Sequence, residues 1–205
     1  LTDATVTSSD LSDGSAYVLT PDADGFFTDP TPGIPGHRYR LTVECGGNVY
    51  SMETLMYAAT EIISAEFNWI SMPYDKVAVF QARYLDNPAD GGDCYWVKLY
   101  RNGEIYSWRE QDDRTASDGV NTFFTMTSRK DTDEEDDDEV LFDGDVMTVT
   151  VTPISLEMHD YLEALQNDSN GPFLFSGPRV LGYFLASTPV SRSVTFHPDS
   201  IPEYK

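Results

Sequence analysis

The run Leu141-Phe-Asp-Gly-Asp-Val-Met-Thr-Val-Thr-Val151, followed almost at once by Ile154-Ser-Leu-Glu-Met-His-Asp-Tyr-Leu-Glu-Ala-Leu165, decides the fold. The first run is rich in β-branched residues, the composition of a strand. The period then changes. Met158, Tyr161, Leu162 and Leu165 recur at i, i+3, i+4 and i+7, which places them along one stripe of a helix expected to pack on a sheet. Ser155 can accept a hydrogen bond from the free amides of a first turn, and Glu157 sits favourably at its positive end. The spacing therefore predicts a helix of about three turns over residues 156–166. Asn167-Asp-Ser-Asn-Gly-Pro172 ends it, because Asn and Gly tolerate left-handed angles and proline cannot continue a helix. After Gly171-Pro-Phe173, the runs Leu181-Gly-Tyr-Phe-Leu-Ala-Ser187 and Val190-Ser-Arg-Ser-Val194 read as two closing strands.

Upstream of this block the chain is strand after strand. Between Arg38 and Glu44, Tyr39, Leu41 and Val43 alternate with charged and hydroxyl residues, the pattern of one buried and one wet face. Cys45 continues the inward parity, and Gly46-Gly47 supplies the positive φ angles of a hairpin. Asp22-Ala-Asp-Gly25 and Pro32-Gly-Ile-Pro-Gly36 are turns. The alternation lapses over 56–61 and resumes with Ile63, Ala65, Phe67 and Trp69 on one face. Residues 76–84, 95–100 and 120–127 are further strands, and Asn102-Gly103 is the strongest two-residue hairpin signal. The expected class is all-β, mainly antiparallel sandwich units, with one short helix. Residues 1–56 form a first unit and 57–205 a larger antiparallel domain carrying the helix.

With 13 Lys and Arg against 35 Asp and Glu, the formal charge is −22. That charge repels phosphate backbones and acidic lipid headgroups, which disfavours nucleic acid and direct electrostatic docking to membranes. A basic partner or divalent cations fit it better. No apolar run is long enough to span a bilayer as a helix. Cys45 and Cys94 are the only cysteines, too few for a disulfide-stapled scaffold, and free thiols are expected.

The order of strand, capped helix and two closing strands from Leu141 to Phe196 resembles the outer-membrane lipoproteins of Bacteroidota grouped as domain of unknown function 4249. The segment before residue 57 is similar to part of the small immunoglobulin-like or transthyretin-like sandwich that opens that family. The resemblance implies an exported, surface-exposed protein, held in the outer membrane by a lipid anchor upstream of this chain. It also implies a non-catalytic role beside a TonB-dependent nutrient transporter and its lipoprotein partner, with oligosaccharide or peptide bound or retained. A structural or adhesive surface module without a transported ligand is the alternative. The acidic insertion within 110–139 is longer and more charged than the family pattern.

The residues themselves carry few signs of chemistry. Residues 131–139 hold eight acids in nine positions, a block that reads as a solvated loop. Its sharper reading is calcium bound by Asp136, Asp137 and Asp138, against which stands the lack of a glycine at the turning position. His37, His159 and His197 lie far apart, with no zinc-binding spacing and no cysteine beside them, so three metal ligands could only be assembled across the fold. Neither Ser187 nor Ser191 lies in Gly-x-Ser-x-Gly, so no nucleophile elbow is present. Carboxylate pairs are too abundant to single out a hydrolytic pair. Among the tryptophans, Trp69 and Trp96 lie in strand patterns and are expected in the core. Trp108, beyond the hairpin, is the candidate for a ligand-stacking ring. Arg192 shares the inward parity of Val190, Val194 and Phe196. It therefore needs a carboxylate, backbone carbonyls or a bulge, with an ion pair the expected solution.

Overall fold

The computed structural model describes residues 4–28, 31–73, 76–86, 94–112, 114, 116–129 and 140–202, with the backbone alone for 127–129. The calcium candidates Asp136, Asp137 and Asp138 lie outside the described residues. The fold is all-β, mostly antiparallel, and carries a single short α-helix among the described residues.

The chain divides into two compact units. The first combines residues 1–59, 88–95 and 153–188, and the second 60–87, 96–152 and 189–205. The division at Ala59 and Thr60 falls where the alternation lapses. The helix and the segment after it belong to the first unit, not to a domain over residues 57–205 as the sequence pattern suggests. Local pairing explains this placement, because Ser176 exchanges backbone hydrogen bonds with Ser51 and Thr188 Oγ1 donates to the Tyr57 carbonyl.

In the first unit, β1 (Thr5–Asp10), β2 (Ala16–Leu19), β3 (Arg38–Cys45) and β4 (Asn48–Leu55) form one antiparallel sheet in the order β2-β1-β3-β4. The β3–β4 hairpin closes on Cys45 opposite Asn48, with Gly46 and Gly47 at φ 55° and 77°. Asp22 Oδ1 accepts from the amides of Asp24 and Phe26, fixing the first predicted turn. Tyr39, Leu41, Val43 and Cys45 are only half-buried. Leu41 and Val43 instead line an open apolar groove with Val6, Leu19, Phe27 and Phe184.

The helix α1 (Leu156–Gln166) has the predicted bounds, and Ser155 Oγ accepts from the Met158 amide. Met158, Tyr161 and Leu162 are buried. Leu165, expected on the same stripe, is 44% exposed, and His159 is buried in its place. Residues 181–187 are not a strand. They run as coil, with the Phe184 amide against Met52 Sδ rather than in a ladder.

Gly177 has φ +103°, and a Cβ there would lie 2.2 Å from the Val49 carbonyl oxygen. Gly177→Ala should therefore break the Ser51–Ser176 pairing and cost about 2 kcal/mol, roughly two lost hydrogen bonds. Urea unfolding followed by circular dichroism checks this, and a loss under about 0.5 kcal/mol would refute it.

The second unit contains β5 (Ile62–Ser71), β6 (Lys76–Leu85), β7 (Cys94–Arg101), β8 (Glu104–Asp112), β9 (Val120–Arg129), β10 (Val146–Ile154) and β11 (Val190–Thr195), counting β7 and β10 by their greater part. They form two sheets, β5-β6-β9 and β11-β10-β7-β8, that come together along β5 and β11. Phe67, Trp69, Phe80, Val97, Leu99, Val149 and Phe196 are among its buried core residues. Ile63 departs from the predicted inward face. The β5–β6 register shifts between Ile62 and Ser64, so Ile63 turns outward and is 39% exposed. Arg192 answers that bulge: its Nη1 donates to the carbonyls of Ile62 and Ile63 at 3.3 and 2.9 Å. The expected ion pair is thus replaced by backbone carbonyls freed where the neighbouring ladder is irregular.

Candidate functional site

Strand alternation on β7 builds the first candidate surface. Tyr95, Val97 and Leu99 are fully buried, so Trp96 and Lys98 point to the opposite face. Trp96 is half-buried there, not in the core as the sequence pattern suggests. Its error has a simple source, because aromatics favour both faces of a strand and alternation gives parity without saying which parity is inside. The hairpin through Asn102 and Gly103, at φ 51° and 93°, returns the chain along β8. Trp108 then meets Trp96 edge to face, with ring centroids 6.0 Å apart and planes at 80°.

Lys98 Nζ lies 3.5 Å from the centre of the Trp96 ring, a cation–π contact. Burial lowers the Lys98 ammonium below its usual range, since desolvation disfavours the charged form. Ser107 Oγ and Glu110 Oε2, flanking Trp108 in sequence, are buried and lack a hydrogen-bond partner among the described residues. Two partly buried indoles, an ammonium and the orphaned Glu110 oxygen, which shares the parity of Trp108, are the components of a site for a polar ligand with an apolar face. Trp69 is elsewhere: it is 3% exposed, and its Nε1 donates to the Pro198 carbonyl.

The second candidate was not found by sequence spacing. Asp10 ends β1, Asp13 lies in the following turn and His37 precedes β3, so strand pairing brings together residues 27 apart in sequence. Asp10 Oδ2 is 2.7 Å from His37 Nδ1, and Asp10 Oδ1 accepts from the Ser12 amide at 2.8 Å. The Ile34 amide donates to Tyr39 Oη at 2.7 Å, leaving the phenol proton for Asp10. Burial pushes the Asp10 carboxyl up, but His37, the Ser12 amide and Tyr39 together hold it below its ordinary value. Tyr39 is raised, first by burial and then by its carboxylate neighbours. Asp10, Asp13 and Tyr39 line a cavity of about 370 Å³ with Ser8, Tyr17 and Phe184.

The remaining histidines do not join this group. His197 pairs with Asp143 at 2.7 Å on the surface, and His159 lies beside Asp160 at 3.3 Å. Neither Cys45 nor Cys94 is in a disulfide. No helix among the described residues is long and apolar enough to cross a membrane.

No known family model matches this chain, and no curated protein matches it either.

Proposed function

We propose that this chain is a non-catalytic binding protein of the cell surface, using the Trp96–Trp108 pair to hold an oligosaccharide or the aromatic and apolar side chains of a peptide. The pair carries the reading. Two indoles meeting edge to face present ring surface to a ligand without the conformational entropy that a flexible side chain would lose. Lys98 beside Trp96 adds a donor for hydroxyl or carboxylate groups. The resemblance to the Bacteroidota lipoproteins supplies the setting: an exported, lipid-anchored accessory of a TonB-dependent outer-membrane transporter and its lipoprotein partner.

Calorimetric titration with soluble glycans and short peptides tests the binding half. Trp108→Ala should weaken binding of a responsive ligand by at least about tenfold, equivalent to about 1.4 kcal/mol. Its melting temperature should change little, because the ring is partly exposed. Retention of full affinity in both Trp108→Ala and Trp96→Ala would end the proposal. Purification of the native protein in mild detergent tests the setting, and elution without any transporter would count against it.

A structural or adhesive module is the second reading, favoured by β2, an edge strand on which Tyr17 and Val18 are 47% and 70% exposed. That reading expects concentration-dependent self-association that Val18→Lys abolishes, with no glycan or peptide bound.

A further inference from the structure

We propose that Asp10, Asp13 and His37 form a binding site for one divalent transition-metal ion of the zinc type. One donor atom from each residue lies within 4.8 Å of the other two. A tetrahedral ion about 2.1 Å from each donor sets the donors about 3.4 Å apart, so the widest separation closes by up to about 1.4 Å. The Asp10–His37 contact, now a hydrogen bond, opens by about 0.7 Å as the ion replaces the shared proton. Asp13 is the exposed member of the three, held by a single amide hydrogen bond from Ser15, so the adjustment falls on the least buried side chain.

The donor set selects the ion. Imidazole nitrogen with two carboxylates suits zinc and its first-row neighbours, whereas calcium takes six to eight oxygens and gains little from imidazole. Charge balance points the same way. Two carboxylates and one imidazole leave an excess of negative charge even when the imidazole is protonated, and a dication offsets it. Asp10 is itself 7% exposed, so that charge is largely removed from water.

The surroundings have the form of a metal site's outer shell. The Ser12 and Ser15 amides each hold one oxygen, of Asp10 and Asp13 respectively, at 2.8 Å, and the Tyr39 hydroxyl also hydrogen-bonds Asp10. The cavity beside the two carboxylates leaves coordination positions open to solvent or to a small ligand. The turn that carries Asp13 is tied to β3 by hydrogen bonds from the Leu11 amide to the Arg38 carbonyl and from the Arg38 amide to Ser12 Oγ. Asp10 thus ends a strand, while Asp13 and His37 sit in short segments that these hydrogen bonds tie to the paired strands β1 and β3.

Zinc chloride added to the full chain is the test, read by the imidazole resonances in a proton–nitrogen NMR spectrum and by calorimetry. The expected result is one equivalent of zinc that shifts the His37 ring nitrogens, is reversed by a chelator and is not displaced by a tenfold excess of calcium. Asp13→Asn, which keeps the Asp10–His37 pair and hence the fold, should weaken that event by about 10- to 100-fold. His159→Gln should leave it unchanged. Unmoved His37 resonances at saturating zinc, or equal zinc affinity in the wild-type and Asp13→Asn proteins, would overturn the site. The latter result would assign the zinc to other carboxylates.

Discussion

Phe196→Ala is expected to destabilise the second unit by about 3–5 kcal/mol, the cost of truncating a buried aromatic whose surroundings cannot collapse. Phe196 is 2% exposed and stands edge to face on Phe67 at 5.0 Å and on Trp69 at 6.5 Å. Phe67 in turn meets Phe80 at 5.3 Å, so one ring joins the segment after β11 to the core of the β5-β6-β9 sheet. The backbone cannot follow the lost side chain inward. The Phe196 amide donates to the Asp145 carbonyl, and the Phe196 carbonyl accepts from the Gly144 amide. A cavity should therefore remain. Urea unfolding followed by tryptophan fluorescence gives the loss directly, and Phe196→Leu, which keeps most of the volume, should lose less than about 1.5 kcal/mol. An alanine variant within 1 kcal/mol of wild type would remove Phe196 from the core.

Phe196 also shows what a sequence can and cannot reveal about this fold. Turn chemistry was legible because it is local: Asn102-Gly103, Gly46-Gly47 and Asp22-Ala-Asp-Gly25 all form the turns their residues require. The helix was legible for the same reason, its cap and breaker both lying next to the stripe in sequence. The misread details depend on partners distant in sequence. Ile63 follows perfect alternation, yet the ladder against β6 slips beside it and turns the side chain outward. Leu181–Ser187 has strand-like composition, but its Phe184 amide meets the Met52 sulfur, and Thr188 just beyond it donates to the Tyr57 carbonyl. Composition cannot supply a neighbouring strand.

The candidate sites divide in the same way. Trp108 stood out because it follows a recognisable hairpin, while its partner Trp96 was hidden by the ambiguity of parity. Asp10, Asp13 and His37 offered no metal-ligand spacing, since their proximity arises only when β1 and β3 pair in register with Asp10 opposite Tyr39. One available signal was Asp10-x-x-Asp13 at the end of a strand, and in a chain with 35 acids that signal is lost in the background.

Asp145→Ala should cost about 3 kcal/mol at neutral pH, because one carboxylate joins three separate pieces of backbone. Asp145 Oδ2 accepts from Arg101 Nε at 2.9 Å, from Arg101 Nη2 at 2.8 Å and from the Phe142 amide at 2.8 Å. Its Oδ1 accepts from Asn102 Nδ2 at 2.7 Å, and Asn102 Oδ1 accepts from the Val146 amide. The Asn102-Gly103 turn is thereby clamped to the start of β10. Burial alone would raise the Asp145 carboxyl, but the Phe142 amide, Asn102 and Arg101 outweigh it and hold the group below its ordinary 3.8. A depressed folded value means the unfolded chain binds more protons in that window, so stability rises with pH there. The contribution is complete above the unfolded value and disappears as pH falls through the lower folded one. Wild-type stability should thus decline below about pH 4, with Asp10 adding to the same limb, and the difference between wild type and Asp145→Ala should shrink with it. Asp145→Asn keeps the shape but loses the charge, and should fall between the two proteins at pH 7. Guanidinium unfolding at pH 7, 5, 4 and 3 measures all three, and a wild-type-to-alanine gap that stays constant across that range would show that the carboxylate's charge contributes nothing to the clamp.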